Sequence, residues 1–62
     1  MMKIQACQLK QNDILLPTNC VITVAPVPAW ETGKIRVGTM TRDGKQVERK
    51  WGKYTLVAIK ER

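Results

Sequence analysis

Short runs of alternating or β-branched apolar residues, separated by turn signals, are the main pattern along this chain. The runs are KIQACQL (3–9), ILL (14–16), CVITVA (20–25), KIRVGTM (34–40), KQVERKW (45–51) and YTLVAIK (54–60). None is long enough to predict a helix, and the alternation is typical of half-buried strands. We therefore predict an all-β protein of five or six short antiparallel strands.

Turn residues divide these runs at close spacing. The breaks are KQND (10–13), PTN (17–19), the long loop PVPAWETG (26–33), RDG (42–44) and WGK (51–53). With 62 residues, the chain is expected to form a single domain, 1–62. Closure into a barrel would remove the exposed edges of so small a sheet, so we predict a small SH3-like barrel. An OB-like barrel is the alternative.

The hairpin around RDG has two possible registers. A two-residue turn at Asp43-Gly44 would mix apolar and charged residues on both faces of the hairpin. A three-residue loop with Gly44 in the left-handed conformation separates the two kinds of residue, because a shift of one residue turns every side chain over. In that register Thr39 faces Val47, Val37 faces Arg49 and Ile35 faces Trp51. We predict this register, with the Arg49 head group in water at the rim of the apolar face.

The second half of the chain is basic. Residues 34–62 hold nine basic and three acidic residues and carry the whole net charge of +6. Such a field attracts polyanions, and cations on a hairpin can follow a phosphate backbone without reading bases. The candidate polyanion-binding residues are Lys34, Arg36, Arg42, Lys45, Arg49, Lys50 and Lys53. A charged face that only keeps the protein in solution, and a surface for an acidic protein partner, are the other two interpretations.

Three aromatic residues could support a binding role. The register argument turns Trp51 toward the core. Tyr54 shares a strand face with Leu56 and Ala58, which favours the core, although its exposure stays open. Trp30 lies in the 26–33 loop, where we expect it to plug one end of the barrel, since a domain this small needs its large apolar side chains. If Trp30 or Tyr54 is exposed instead, it is a candidate for stacking on a base or anchoring a partner.

Catalytic and metal-binding chemistry has little basis in this composition. Without histidine or serine, neither a Ser-His-Asp nor a Cys-His arrangement can form. The few acids are scattered, and Asp13 is expected to stabilise the KQND turn through its side chain. We therefore expect no enzyme activity, no cofactor and no metal site.

The cysteines and the N-terminus bear on location. Cys7 and Cys20 are expected to be reduced, part-buried thiols rather than a disulfide. No long apolar run follows Lys3, and no segment has the ~20 apolar residues of a membrane span. The expected location is the cytoplasm, with no membrane partner.

The opening QLKQNDILL (8–16) resembles the start of many SH3-like barrels, in which a leucine, a polar turn ending in Asp and an apolar strand follow one another. Leu9, Lys10, Asp13 and Ile14 fit that pattern, and Asn12 stands where glycine is usual. KOW-type SH3-like barrels, which act on ribosomes and RNA polymerase, begin similarly. This chain lacks their glycine pattern after the first strand. The resemblance implies a fold more than a function.

The function expected from these features is a small non-enzymatic binding module that contacts nucleic acid, or a nucleic-acid machine, through residues 34–53. The alternative is an accessory or inhibitor module, of a kind common in phages and bacteria, that docks on an acidic protein surface or self-associates. A nucleic-acid binder should place Arg36, Lys50 and an exposed aromatic on one concave face. A protein docker should expose an apolar patch around Trp30, Val27 and Met40.

Overall fold

The computed structural model describes all residues 1–62 and is all-β, as predicted. Its six strands are β1 (Met2–Gln5), β2 (Ile14–Leu15), β3 (Cys20–Pro28), β4 (Lys34–Met40), β5 (Gln46–Gly52) and β6 (Leu56–Ile59), and a short 3₁₀ helix covers Ala6–Gln8. The molecule contains no helix with the length and apolar character needed to cross a membrane.

The six strands form one antiparallel sheet. Its order is β1-β6-β2-β3-β4-β5, so β3, β4 and β5 form a continuous meander and β6 returns beside β2. β1 and β5 are the two ends of this order and do not pair with each other, so the hydrogen-bonded sheet is not a closed ring. β5 is therefore an edge strand, paired only with β4.

The predicted register of the β4–β5 hairpin is confirmed. Thr39 pairs with Val47, Val37 with Arg49 and Ile35 with Trp51. Gly44 has φ 87°, and its N–H donates to the Thr41 carbonyl at 3.0 Å, which closes the three-residue loop 42–44. Since glycine has no Cβ, it adopts this left-handed conformation without steric cost.

The core lies on the face of β4 that carries Ile35, Val37 and Thr39, called here the inner face. Its eight buried apolar residues are Ala6, Leu9, Leu15, Cys20, Ile22, Ile35, Val37 and Ile59. The fully buried Thr39 hydroxyl donates to the Val47 carbonyl at 2.7 Å. Trp51 is half-buried against this core, so it is a packing residue, as predicted. Val47 has the predicted orientation but is exposed, because β5 is an edge strand.

Two local predictions were wrong. The first run, 3–9, is not one strand, since β1 ends at Gln5 and a 3₁₀ helix follows. The long loop predicted over 26–33 shortens to 29–33, because β3 continues through both prolines and pairs Pro28 with Ile35 of β4. Proline is tolerated here because β2 pairs only with the first two residues of β3, which leaves the later part at an edge.

The KQND turn forms as predicted. The Asp13 carboxylate accepts a hydrogen bond from the Lys10 N–H at 2.8 Å, and Asn12 has φ 78°. The same carboxylate accepts two further bonds from the Arg62 guanidinium, at 3.0 and 2.9 Å. This second contact joins the turn to Arg62, three positions after the end of β6, and nothing in the local sequence pattern predicts it.

Candidate nucleic-acid interface

Trp30 is the most exposed large apolar residue, with 91% of its surface accessible. The prediction that it plugs the barrel was therefore wrong. The reason is the length of β3, which leaves only residues 29–33, called here the Trp30 loop. A hydrogen bond from the Ala29 N–H to the Lys34 carbonyl, at 3.0 Å, closes this loop and holds Trp30 at its tip, away from the core.

The turn between β5 and β6, residues 53–55, lies against the Trp30 loop. The Lys53 N–H donates to the Gly33 carbonyl at 3.0 Å, and the Lys53 carbonyl accepts from the Cys7 N–H at 3.0 Å. These backbone bonds join the 53–55 turn to the Trp30 loop, about twenty residues earlier in the chain, and to the 3₁₀ helix.

Tyr54 projects from this turn and is 64% exposed. The interpretation that it shares a core-facing strand surface with Leu56 was wrong, since Leu56 is exposed as well. Ile59 is buried and Val57 half-buried, so alternation along β6 turns Leu56 to the other side, and Tyr54 lies before the strand, in the turn. The Lys53 ammonium lies 5.1 Å from the centre of the Tyr54 ring, a cation–π contact.

Two further lysines join this end of the molecule. The Glu31 carboxylate lies 4.0 Å from the Lys34 ammonium and forms a hydrogen-bonded ion pair with Lys50. The hydrogen bond from Lys50, with the charges of both lysines, lowers the pKa of Glu31 below its usual value. We call this region the aromatic end, made of Trp30, Glu31, Lys34, Lys50, Lys53 and Tyr54.

A cleft of about 490 Å³ lies beneath the Trp30 loop. One wall is the apolar stretch 26–30, and Ile35 continues it. Lys34 and Lys53 supply cationic groups, and the exposed Cys7 thiol lies at its border. Of the two cysteines, both free, Cys20 is buried and Cys7 is exposed, so Cys7 is less covered than expected.

The other basic residues of the hairpin do not form one continuous surface. Arg36 lies on the outer face, opposite the core, where it pairs with Lys50 in the sheet and forms an ion pair with Glu48 at 3.8 Å. Arg42 and Lys45 lie at the hairpin loop, at the far end of two seven-residue strands from the aromatic end.

Arg49 lies on the inner face, as the register predicted, and its side chain is exposed. It borders a groove of about 200 Å³ whose other lining residues are Leu15, Leu16, Thr18, Trp51, Val57 and Ala58. The seven predicted cations therefore occupy the aromatic end, the outer face, the hairpin loop and the inner face.

An apolar strip also lies on the outer face. Val24 and Val27 of β3 and Met40 of β4 are exposed. Val24 packs over Gly38, where an added Cβ would lie 2.8 Å from the valine Cγ2. Val27 also lines the cleft beneath the Trp30 loop, so the strip continues toward Trp30. The outer face thus carries Arg36 and Lys50 as well as exposed apolar residues, so these positions alone do not separate a nucleic-acid binder from a protein docker.

Sequence reasoning missed the role of Glu31. It stands alone between a tryptophan and a threonine, and its two lysine partners lie on different strands. The only local signal is the spacing of Glu31 and Lys34 by three residues. The contact with Lys50 depends on the pairing of β4 with β5.

No family model, curated protein or solved structure matches this chain. The chemistry of the surface is therefore the basis for assigning a function. The aromatic end offers two exposed rings on hydrogen-bonded loops, and three ammonium groups from the 53–55 turn, β4 and β5, which suits stacking and phosphate contact. It offers no nucleophile paired with a base.

Proposed function

We propose that the protein is a small non-enzymatic module that binds nucleic acid, or docks on a nucleic-acid machine, through the aromatic end and the basic β4–β5 hairpin. The observation that carries this proposal is the exposure of Trp30 and Tyr54 among three lysines. A net charge of +6 is within the range that solubility alone requires. Solubility gives no reason to hold a tryptophan in water on a closed loop.

Base stacking and phosphate contacts at the aromatic end would supply enough free energy to bind nucleic acid. Stacking of one base on an aromatic side chain contributes ~1–3 kcal/mol. Each phosphate contacted by a lysine or arginine releases counterions and adds a term that weakens with salt. One or two stacked bases with three to five phosphate contacts would make a salt-sensitive and sequence-tolerant site.

We propose that the sheet is of the SH3-like type rather than OB-like, which the meander β3-β4-β5 and the return of β6 beside β2 support. We propose a cytoplasmic location, which the two free thiols support.

The test is a fluorescence titration of labelled single-stranded and duplex DNA at several salt concentrations. We expect binding at low salt, with a log-log salt slope of roughly −3 to −4.5 for three to five contacts on duplex. The double change Arg36→Ala with Lys50→Ala should weaken it. No binding at low salt would overturn the proposal, and binding unchanged in the double variant would overturn the choice of surface.

A protein-interaction or self-association function is the second candidate. The observation in its favour is the exposed strip of Val24, Val27 and Met40, whose Val27 end lines the cleft beneath the Trp30 loop. Val24 and Val27 belong to the edge half of β3, where unpaired backbone groups could also contact a partner. Size-exclusion chromatography over a range of concentrations tests self-association, which Val24→Ser should abolish. A monomer at every concentration would exclude a stable dimer.

A further inference from the structure

The carboxylate of Glu31 lies where two cations from different strands converge. Its Oε2 is 4.0 Å from the Lys34 ammonium, and its Oε1 accepts a hydrogen bond from the Lys50 ammonium. Lys34 begins β4, and Lys50 lies near the end of β5, so strand pairing positions both. An anion with two outward oxygens, held by two ammonium groups, has the local chemistry of a bound phosphodiester.

The position of Glu31 next to Trp30 links this anion site to an aromatic surface. Trp30, Glu31 and Lys34 line the same cleft, so the indole and the anion site border one surface. Trp30 is almost fully exposed, and its loop is closed by the Ala29–Lys34 hydrogen bond. A base stacked on the indole would bring its own phosphate to the lysines.

From this arrangement, and on the basis of the proposed function, we propose that Lys34 and Lys50 form a phosphate subsite for single-stranded nucleic acid, that the Glu31 carboxylate occupies it in the free protein, and that the neighbouring base stacks on Trp30. A single strand is favoured over a duplex because only unpaired bases present a free face to an exposed indole.

Displacement of Glu31 costs little. The side chains of Lys34 and Lys50 are both about half exposed, and ion pairs between exposed side chains stabilise a fold little. The carboxylate nevertheless stays ionised at neutral pH, since Lys50 lowers its pKa. It therefore competes with an incoming phosphate and repels it after displacement. Removing its charge should strengthen binding.

The decisive variant is Glu31→Gln, and its matched control is Glu48→Gln. Both remove one negative charge, and Glu48 is paired with Arg36 at 3.8 Å on the same face of the sheet. With labelled oligothymidylate, we expect Glu31→Gln to increase affinity up to about fivefold more than Glu48→Gln. Glu31→Gln should also steepen the slope of log binding constant against log salt concentration, for the single strand, by up to about 0.7. Equal effects of the two variants would overturn the subsite.

The stacking part is tested with Trp30→Leu and two ligands. Oligothymidylate carries bases, and inorganic polyphosphate carries only the charge. The variant should lose at least about fivefold in affinity for oligothymidylate and none for polyphosphate. Quenching of protein fluorescence by oligothymidylate should also disappear, because Trp51 then remains as the only tryptophan. Equal losses for both ligands, or quenching that persists, would overturn stacking on Trp30.

The two proposals fail in different ways. If the unaltered protein binds neither oligothymidylate, duplex nor polyphosphate at low salt, the proposed function is wrong and the subsite falls with it. If it binds all three, but duplex as tightly as single strand, the proposed function stands and the preference for a single strand is wrong. Circular dichroism of each variant checks that the fold is intact, as expected for changes to surface residues.

Discussion

Asp13 shows how one residue links a local turn to the rest of the chain. It is buried, with 6% of its surface accessible, and its carboxylate accepts bonds from the Lys10 N–H and the Arg62 side chain. The hydrogen bond from Arg62 lowers its pKa more than burial raises it. Lys10 contributes a hydrogen bond and its charge in the same direction. Asp13 is thus an ionised group whose contacts stabilise the fold.

We predict that Asp13→Asn lowers the free energy of unfolding at pH 7 by about 1–2 kcal/mol, a value reduced for the partial exposure of Arg62. A carboxyl whose pKa is lowered by folding stabilises the folded state above its unfolded pKa, and this contribution is lost as pH falls through the folded pKa. The stability difference between the two proteins should therefore shrink below about pH 4. Urea unfolding across this pH range measures it.

Asp43 is the matched control for Asp13. Its pKa is also lowered, here by the Thr41 hydroxyl, but it is exposed in the hairpin loop. Asp43→Asn should cost clearly less stability than Asp13→Asn. If the two variants lose the same stability, or if the Asp13→Asn deficit persists at low pH, the Arg62–Asp13 contact does not have the role assigned to it.

The β4–β5 hairpin is the element in which sequence and structure agree most closely. Its register follows from alternation, because only one pairing puts Val47 and Trp51 on the same face as Ile35, Val37 and Thr39. Its loop follows from Gly44, whose positive φ allows a three-residue connection. The sheet face and the loop select the same register independently.

For the β4–β5 hairpin we predict that Gly44→Ala lowers the free energy of unfolding by about 1–2 kcal/mol, since a residue with a Cβ is strained at this positive φ. Gly44→Asn should lose clearly less, because asparagine tolerates the left-handed conformation. No atom outside the immediate neighbours lies within 4 Å of the added Cβ, so the difference reports the backbone alone. Chemical denaturation measures both, and equal losses would contradict the assigned loop.

The whole molecule separates its positive charge into distant groups. Its principal extents are 31 × 24 × 15 Å, and the β4–β5 hairpin lies between the loop that carries Arg42 and Lys45 and the aromatic end. The loop cations have no carboxylate within ion-pair distance, whereas Lys34 and Lys50 share Glu31. The loop should therefore attract polyanions at long range, and the aromatic end should hold them.

Kinetics can separate these two roles. Arg42→Gln with Lys45→Gln should mainly slow association with oligothymidylate, because charges outside a contact act on encounter. Lys34→Gln with Lys53→Gln removes the same charge and should mainly speed dissociation. Stopped-flow titrations measure both rates. If the two double variants change the same rate by the same factor, the charge acts only through its total.

Most of the strand plan could be predicted from the sequence. Alternation and turn residues predicted five or six strands, the hairpin register and the Asp13 turn, because these depend on contacts within a few residues or on one buried face. Where the pattern failed, at residues 6–8 and 26–28, the competing interaction was packing or pairing with a distant segment. Pro26 and Pro28 predict a loop from the sequence alone, and they fit a strand only because this part of β3 lies at an edge of the sheet.

By itself, the sequence determined the all-β class, the β4–β5 register and the concentration of positive charge after residue 33. Only the tertiary structure decided that Trp30 is exposed, that Glu31 joins Lys34 to Lys50, and that Lys53 meets Gly33. The reason is physical. Periodicity states which face of a strand a residue occupies, but the neighbours that cover that face or supply an opposite charge come from other strands.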